Sequence, residues 1–205
     1  VARLHSGKWA VVTGNGYGNQ EGSIADKAVL FVIDVETGEL VREVVVEGDT
    51  TKANGLSSVR LADNDSDGIA DYAYAGDLQG NLWRFDLFRA RNSTTPPGNP
   101  FASSVIGTAQ AEDIVASYGG KPLFKATDGT TGAVQPITAA PSLVRHPSQL
   151  GYLVIFGTGK YFEDSDGNVN TSLGHSVYAI WDRKTKAETT ATPPTITRNS
   201  LLSQT

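Results

Sequence analysis

The 205-residue chain contains neither cysteine nor methionine. Without cysteine it can form no disulfide, no thiolate metal site and no cysteine nucleophile. It has no apolar run long enough to span a bilayer as a helix. A formal net charge of −5 and a pI of about 5.1 give no bulk positive charge for nucleic-acid binding. The chain starts at Val1 and shows no signal peptide, so we expect a processed or excised piece of a longer protein.

Enzyme signatures are also missing, since the sequence has no Gly-x-Ser-x-Gly elbow, no P-loop lysine and no His-Glu-x-x-His pair. The 3 histidines, His5, His146 and His175, are far apart, and none lies at metal-ligand spacing from another. We predict that all three are surface or structural residues.

Glycine and proline are plentiful, with 22 and 9 residues, and 39% of the chain is hydrophobic. This composition suits an all-β globular protein with many turns. Residues 28–35 and 40–46 form apolar runs separated by the turn residues 36–39, which predicts a β-hairpin. Further along, period-two alternation sends Trp83, Phe85 and Leu87 to one face of a strand and Leu82, Arg84 and Asp86 to the other.

The most distinctive stretch is the Asp loop, residues 63–71, with the sequence DNDSDGIAD. Four carboxylates this close repel one another unless a hard cation with oxygen ligands, such as Ca²⁺, neutralises them. Gly68 permits the sharp turn that such a loop needs. The predicted ligands are four side chains and one backbone carbonyl: Asp63, Asp65, Asp67, Asp71 and the carbonyl of Ile69.

The Asp loop is not a standard EF-hand, because position 12 is Tyr74 instead of a bidentate glutamate. Its flanks, residues 58–62 and 72–76, are short and alternating, which is typical of strands. The sequence therefore predicts a calcium loop that connects a β-hairpin. The alternative from the residues alone is an Asp/Gly-rich surface turn without metal.

Two other stretches suggest weaker sites. The glycine-rich residues 14–18 follow a strand, but no helix follows them as a dinucleotide site requires, so a strand and turn are favoured. Residues 164–170 alternate oxygen side chains, with Ser172 at position 9. This pattern predicts either a second, weaker metal loop or a solvated turn.

Three units of the chain share one plan, in which an apolar strand ends at glycine and a second strand runs to aspartate. The glycines are Gly14, Gly76 and Gly157, and the aspartates are Asp34, Asp86 and Asp182. Propeller blades take about 40–45 residues, so the length predicts about four blades of a partial or modified β-propeller. We assign residues 1–183 to this domain and residues 184–205 to a Thr/Pro-rich linker or incomplete blade. Residues 91–104 are predicted to be a linker or long loop.

Several segments resemble the C-terminal domain of the PilC/PilY family of type IV pilus tip and biogenesis proteins. They are KWAVVTGNGYG, VLFVIDVETGEL, the Asp loop with DYAYAGDLQGNLWRFDL, QPITAAPSLVRHP, and YLVIFGTGKYFEDSD with HSVYAIWD. Together they cover most of residues 8–183. The resemblance implies a quinoprotein-like propeller that binds Ca²⁺ through Asp63, Asp65, Asp67, Ile69 and Asp71.

The resemblance also implies a non-catalytic role in which Ca²⁺ occupancy governs whether the pilus is extended or retracted. This role would affect twitching motility and surface adhesion. The implied partners are minor pilins at the pilus tip, the N-terminal region of the parent protein, and host or abiotic surfaces. The implied location is extracellular, at the bacterial surface and pilus tip, in association with the outer membrane.

The alternative is a quinoprotein dehydrogenase that uses pyrroloquinoline quinone and Ca²⁺. Such enzymes resemble this chain in blade pattern, but they bind the quinone on the axis of a complete ring and carry an adjacent-cysteine disulfide. Their metal ligands are dispersed, whereas the aspartates here form one continuous loop.

Overall fold

A computed structural model describes residues 1–88, 110–148, 150–168, 174–183 and 196–203. Within these ranges twelve strands form three antiparallel sheets. The first sheet contains β1 (Ala2–Arg3), β2 (Trp9–Gly14), β3 (Ala28–Asp34) and β4 (Leu40–Val46). The second contains β5 (Arg60–Ala62), β6 (Tyr72–Gly76), β7 (Asn81–Asp86) and β8 (Val115–Ala116), with β9 (Phe124–Lys125) also paired to β7. The third contains β10 (Ser142–Arg145), β11 (Tyr152–Gly157) and β12 (Val177–Asp182).

The helical segments are short. Within the described ranges, three are 3-10 helices, at Ala111–Asp113, Asp164–Gly167 and Arg198–Ser200, and one is a helical turn at Ser117–Gly120. No helix in the described part of the chain has the length and apolar character needed to cross a membrane.

The predicted hairpin of β3 and β4 is present, and its turn shows why the sequence forms it. Asp34 Oδ1 accepts hydrogen bonds from the backbone N–H groups of Glu36 (2.8 Å) and Thr37 (3.4 Å). Gly38 then supplies a positive φ of 73° that closes the turn. In β3 the residues Ala28–Leu30 are all buried and burial alternates only over Phe31–Asp34, while in β4 it alternates over Glu43–Val46.

Strand β7 lies between two hydrophobic cores, and all six of its residues are buried. Trp83, Phe85 and Leu87 pack into the core shared with the first sheet. Leu82 packs into the core shared with the third sheet, where the Arg84 guanidinium stacks on the ring of Tyr72 (4.6 Å to the centroid). The predicted division of this strand into two faces is therefore confirmed.

The described residues form three sheets, where chain length alone predicted about four blades. The long connections at residues 47–59 and 126–141 contain isolated bridges but no strand. The predicted linker at 91–104 lies outside the described residues, as do residues 184–195. Residues 196–203 contact the third sheet, where Arg198 Nη1 donates to the hydroxyl of Tyr178 on β12. The proposed division at residue 183 stays a prediction.

Candidate metal centre

The Asp loop connects β5 to β6, as predicted, and strand pairing brings its two ends together. Ala62 pairs with Tyr72, and the backbone N–H of Asp71 donates to the carbonyl of Ala62 (2.9 Å). The first and ninth positions of the loop therefore lie close in space because the hairpin register places them there.

The inside of the loop is held by its first carboxylate. Asp63 Oδ1 accepts from the N–H groups of Ser66 (2.6 Å) and Asp67 (3.2 Å), and Oδ2 accepts from Gly68 (2.8 Å). Ser66 and Gly68 have φ angles of 67° and 86°, so the chain turns sharply at both residues. These bonds fold the acidic residues back toward one another.

Three of the four predicted carboxylate ligands converge. Single carboxylate oxygens of Asp63, Asp65 and Asp71 all lie within 4.8 Å of one another. Asp71 is fully buried, whereas Asp65 is exposed. Asp67 is outside this group, and its Oδ1 accepts from the N–H of Ile69 (2.8 Å). Ligation by Asp67 and by the carbonyl of Ile69 stays a prediction.

Asp71 has the most unusual environment of the group. Its Oδ1 lies 2.7 Å from Nε2 of His5, and its Oδ2 accepts from the N–H of Asn64 (2.5 Å). Burial raises the pKa of the Asp71 carboxyl, while the contacts with His5 and Asn64 act in the opposite direction. Since burial makes the charged form costly, a nearby cation would stabilise this carboxylate.

The donor set fits Ca²⁺. The three converging groups offer only oxygen, which is the ligand that hard cations prefer. A carboxylate has about four lone-pair sites, so the three bonds that Asp63 accepts leave it capacity to bind a cation. Among the described residues, this is the one group of three or more acidic or histidine side chains with metal-site spacing.

Sequence reasoning missed three residues that contact the Asp loop. His5 is 66 positions from Asp71 and only 1% exposed, so it is structural, as predicted, but it adjoins the site. Arg145 donates to the side-chain oxygen of Asn64 (3.1 Å) and also to its backbone carbonyl. The Tyr152 hydroxyl donates to the carbonyl of Asp63 (2.8 Å). No local signal marks these residues, because the folding of separate sheets alone brings them to the loop.

The second acidic stretch has a different structure. Its residues 164–167 form a 3-10 helix, and Asp166 Oδ2 accepts from the N–H groups of Phe162 (3.1 Å) and Glu163 (3.0 Å). Lys160 Nζ lies 2.6 Å from Glu163 Oε2 and 3.3 Å from Asp166 Oδ1, so an ammonium already offsets part of the charge of these carboxylates. Asn170 and Ser172, which the second metal loop would need, lie outside the described residues.

The glycine-rich residues 14–18 lead into an irregular segment and then β3, not a helix. A Cβ at Gly14 would lie 2.3 Å from the carbonyl oxygen of Ser57, so close backbone packing explains this glycine. The His146 ring stacks on Trp181, with centroids 3.7 Å apart. Both observations agree with the structural interpretations made from the sequence.

The sequence model of the family described as the PilY1 beta-propeller domain matches residues 1–205. The chain belongs to this family. It is 56% identical over 205 residues to the type IV pilus biogenesis factor PilY1 of Pseudomonas aeruginosa strain PAO1, covering 100% of this chain and 17% of that protein. It is 34% identical over 191 residues to a PilY1 homolog of Xylella fastidiosa strain Temecula1, covering 89% of this chain and 12% of that protein.

The fold is similar to a solved member of the PilY1 family. The crystal structure of the Pseudomonas aeruginosa PilY1 C-terminal domain matches with a TM-score of 0.87 and 56% identity, over 97% of this chain and 39% of that one. The predicted all-β propeller is therefore confirmed. The chain spans 17% of the length of the Pseudomonas relative.

Proposed function

We propose that this chain is a non-catalytic, calcium-binding propeller domain of a type IV pilus biogenesis protein. The observation that carries the calcium assignment is the convergence of Asp63, Asp65 and Asp71 in a hairpin loop. The pilus assignment is supported by membership of the PilY1 family and by relatives named as type IV pilus biogenesis factors.

The local mechanism follows from charge. Without a cation, the carboxylates of Asp63, Asp65 and Asp71 repel one another, and Asp71 is ionised at a cost imposed by its burial. Calcium supplies the positive charge that removes both penalties. Because Asp63 and Asp71 lie at opposite ends of the loop, holding them together also fixes the junction between β5 and β6. This fixed junction presents a constant surface to neighbouring protein.

In the whole protein, we propose that calcium occupancy biases the pilus between extension and retraction and so affects twitching motility and surface adhesion. The partners are minor pilins at the tip, the N-terminal region of the parent protein, and host or abiotic surfaces. The place of action is extracellular, at the pilus tip and outer membrane. Extracellular calcium modules bind at about 10⁻⁴–10⁻³ M, which suits this setting.

A non-catalytic role is favoured over the quinoprotein dehydrogenase. The relatives are named as type IV pilus biogenesis factors, and the converging carboxylates come from one hairpin loop. A dehydrogenase would instead place dispersed ligands around the axis of a complete ring.

Replacing Asp65 with alanine is expected to abolish measurable calcium binding while leaving the fold intact, because Asp65 is exposed and supplies one of three converging carboxylates. Isothermal titration with CaCl₂ and circular dichroism measure the two properties. The matched control is Asp164→Ala, because residues 65–68 and 164–167 share the sequence Asp-Ser-Asp-Gly. The control should keep the calcium affinity of the original chain.

Equal calcium affinity in Asp65→Ala and the original chain would overturn the ligand assignment. For the pilus role, the same two substitutions are placed in the full-length protein of a piliated strain. The Asp65→Ala strain should twitch less than the Asp164→Ala strain. Equal twitching in the two strains, with binding lost only in the first, would separate calcium binding from pilus function.

A further inference from the structure

The Asp loop lies where all three sheets meet. From the first sheet, the carbonyl of Arg3 accepts from the N–H of Ala70 (2.9 Å), and His5 contacts Asp71. The loop itself belongs to the second sheet, between β5 and β6. From the third sheet, Arg145 on β10 and Tyr152 on β11 reach the loop. A change in how well the Asp loop is ordered therefore affects contacts with strands that are far apart in sequence.

We propose that Arg145 and Tyr152 are positioning residues that couple calcium occupancy of the Asp loop to the packing of the third sheet. This inference rests on the proposed calcium function and specifies which part of the domain the metal controls. It makes the third sheet, not only the loop, the element that responds to calcium.

The two residues form one anchor. Arg145 and Tyr152 are directly paired across β10 and β11, and the Arg145 guanidinium lies over the Tyr152 ring, 4.9 Å from its centroid. Their side chains hold adjacent backbone carbonyls, since Tyr152 donates to that of Asp63 and Arg145 to that of Asn64. A cation–π contact and cross-strand pairing keep the anchor rigid relative to its own sheet.

The carbonyls that this anchor holds belong to the metal site. Asp63 is one of the converging carboxylates, and the N–H of Asn64 donates to the carboxylate of Asp71, which is another. Drawing Asp63 and Asp71 together around a cation therefore fixes the peptide groups that Tyr152 and Arg145 bind. Conversely, losing the anchor leaves these ligands free to move apart.

Thermodynamic linkage makes the effect reciprocal. If calcium strengthens docking of the third sheet on the loop, removing the anchor must weaken calcium binding by the same factor. A hydrogen bond of typical strength corresponds to about a fivefold change in an equilibrium constant. Since these bonds form without metal, that value is an upper limit for each bond, and we expect a loss of calcium affinity of up to about fivefold from Tyr152→Phe and a larger loss from Arg145→Met, which removes two bonds.

The test is hydrogen–deuterium exchange of the 205-residue chain with and without CaCl₂, combined with calcium titration. In the original chain, calcium should slow exchange in residues 60–72 and also in residues 142–157. In Tyr152→Phe and Arg145→Met, calcium should still bind and slow exchange in residues 60–72. It should no longer slow exchange in residues 142–157. A purely structural role would lower protection of 142–157 equally with and without calcium.

Two matched controls separate the anchor from general damage to the third sheet. Tyr178→Phe removes a tyrosine hydroxyl of β12 that bonds Gln135 and the carbonyl of Thr127, away from the loop. Arg60→Met removes an arginine of β5 that donates to the carbonyl of Pro141, next to β10, instead of to a carbonyl of the loop. Both controls should keep the calcium-dependent protection of residues 142–157.

The outcomes distinguish the coupling from the calcium function itself. If the original chain gives no calcium binding, the proposed function fails. If calcium binds but exchange in residues 142–157 does not change, or changes equally in the anchor variants, the coupling is overturned while the calcium function stands.

Discussion

Calcium affinity will fall by at least about 100-fold when Asp71 is replaced with asparagine. The change removes the charge of the buried member of the converging group, where electrostatic interactions are least screened by water. It also places an amide where Asp71 accepts contacts on both oxygens, from His5 and from the N–H of Asn64. One of these contacts then faces an NH₂ group, but the change also removes a buried charge and its repulsion with Asp63 and Asp65, so we expect the free energy of unfolding of the metal-free chain to change by less than about 1 kcal/mol.

Calcium titration and urea unfolding of the metal-free chain measure the two effects of Asp71→Asn. The control is Asp128→Asn, which changes a half-buried aspartate that accepts backbone N–H bonds from Thr130 and Thr131. Asp128→Asn should leave calcium affinity unchanged. An Asp71→Asn chain that binds calcium as well as this control would show that Asp71 is not a ligand.

Replacing Asp182 with alanine will lower the free energy of unfolding by about 3–5 kcal/mol, the usual cost of removing one partner of a buried ion pair. Asp182 is fully buried and accepts from Arg84 Nη1 (3.0 Å), Tyr74 Oη (2.8 Å) and Tyr118 Oη (2.8 Å). Burial raises the pKa of both tyrosines far above the ordinary value, so both hydroxyls remain donors that need an acceptor. Asp86 Oδ1, 3.4 Å from Arg84 Nη2, still offsets part of the cationic charge.

Urea unfolding of Asp182→Ala measures this loss, with the exposed Asp164→Ala as the matched substitution. Asp182→Asn should cost less than Asp182→Ala, because the amide oxygen still accepts a hydrogen bond. A cost below about 1 kcal/mol for Asp182→Ala, the range of an exposed ion pair, would contradict a buried pair joining the second and third sheets.

The two copies of Asp-Ser-Asp-Gly show what local sequence can and cannot predict. The copy at residues 65–68 lies between paired strands, so Asp63 and Asp71 are brought together by the β5–β6 register. The copy at residues 164–167 forms a 3-10 helix and has Lys160 beside its carboxylates. The hairpin around the first copy was predictable because its flanking strands could be recognised. The role of Lys160 was not, since nothing in the motif itself indicates a neighbouring ammonium.

The strands were predictable for a similar reason. The alternation in β7 divides Trp83 and Phe85 from Leu82 and Arg84, and the structure places the two sets in different cores. Contacts between sheets were not predictable, because Arg145 and Tyr152 lie more than 80 residues from the loop carbonyls that they bind. Only the arrangement of the three sheets brings them there. The sequence thus indicated the candidate ligands but not the residues that position them.

The most direct test of the calcium assignment is a crystal structure of this chain soaked in CaCl₂, with anomalous difference density calculated over residues 63–71. The assignment predicts one peak about 2.3–2.6 Å from carboxylate oxygens of Asp63, Asp65 and Asp71. The same map would show whether Asp67 and the carbonyl of Ile69 complete the shell. An empty loop at saturating calcium, or a peak elsewhere in the chain, would contradict the assignment.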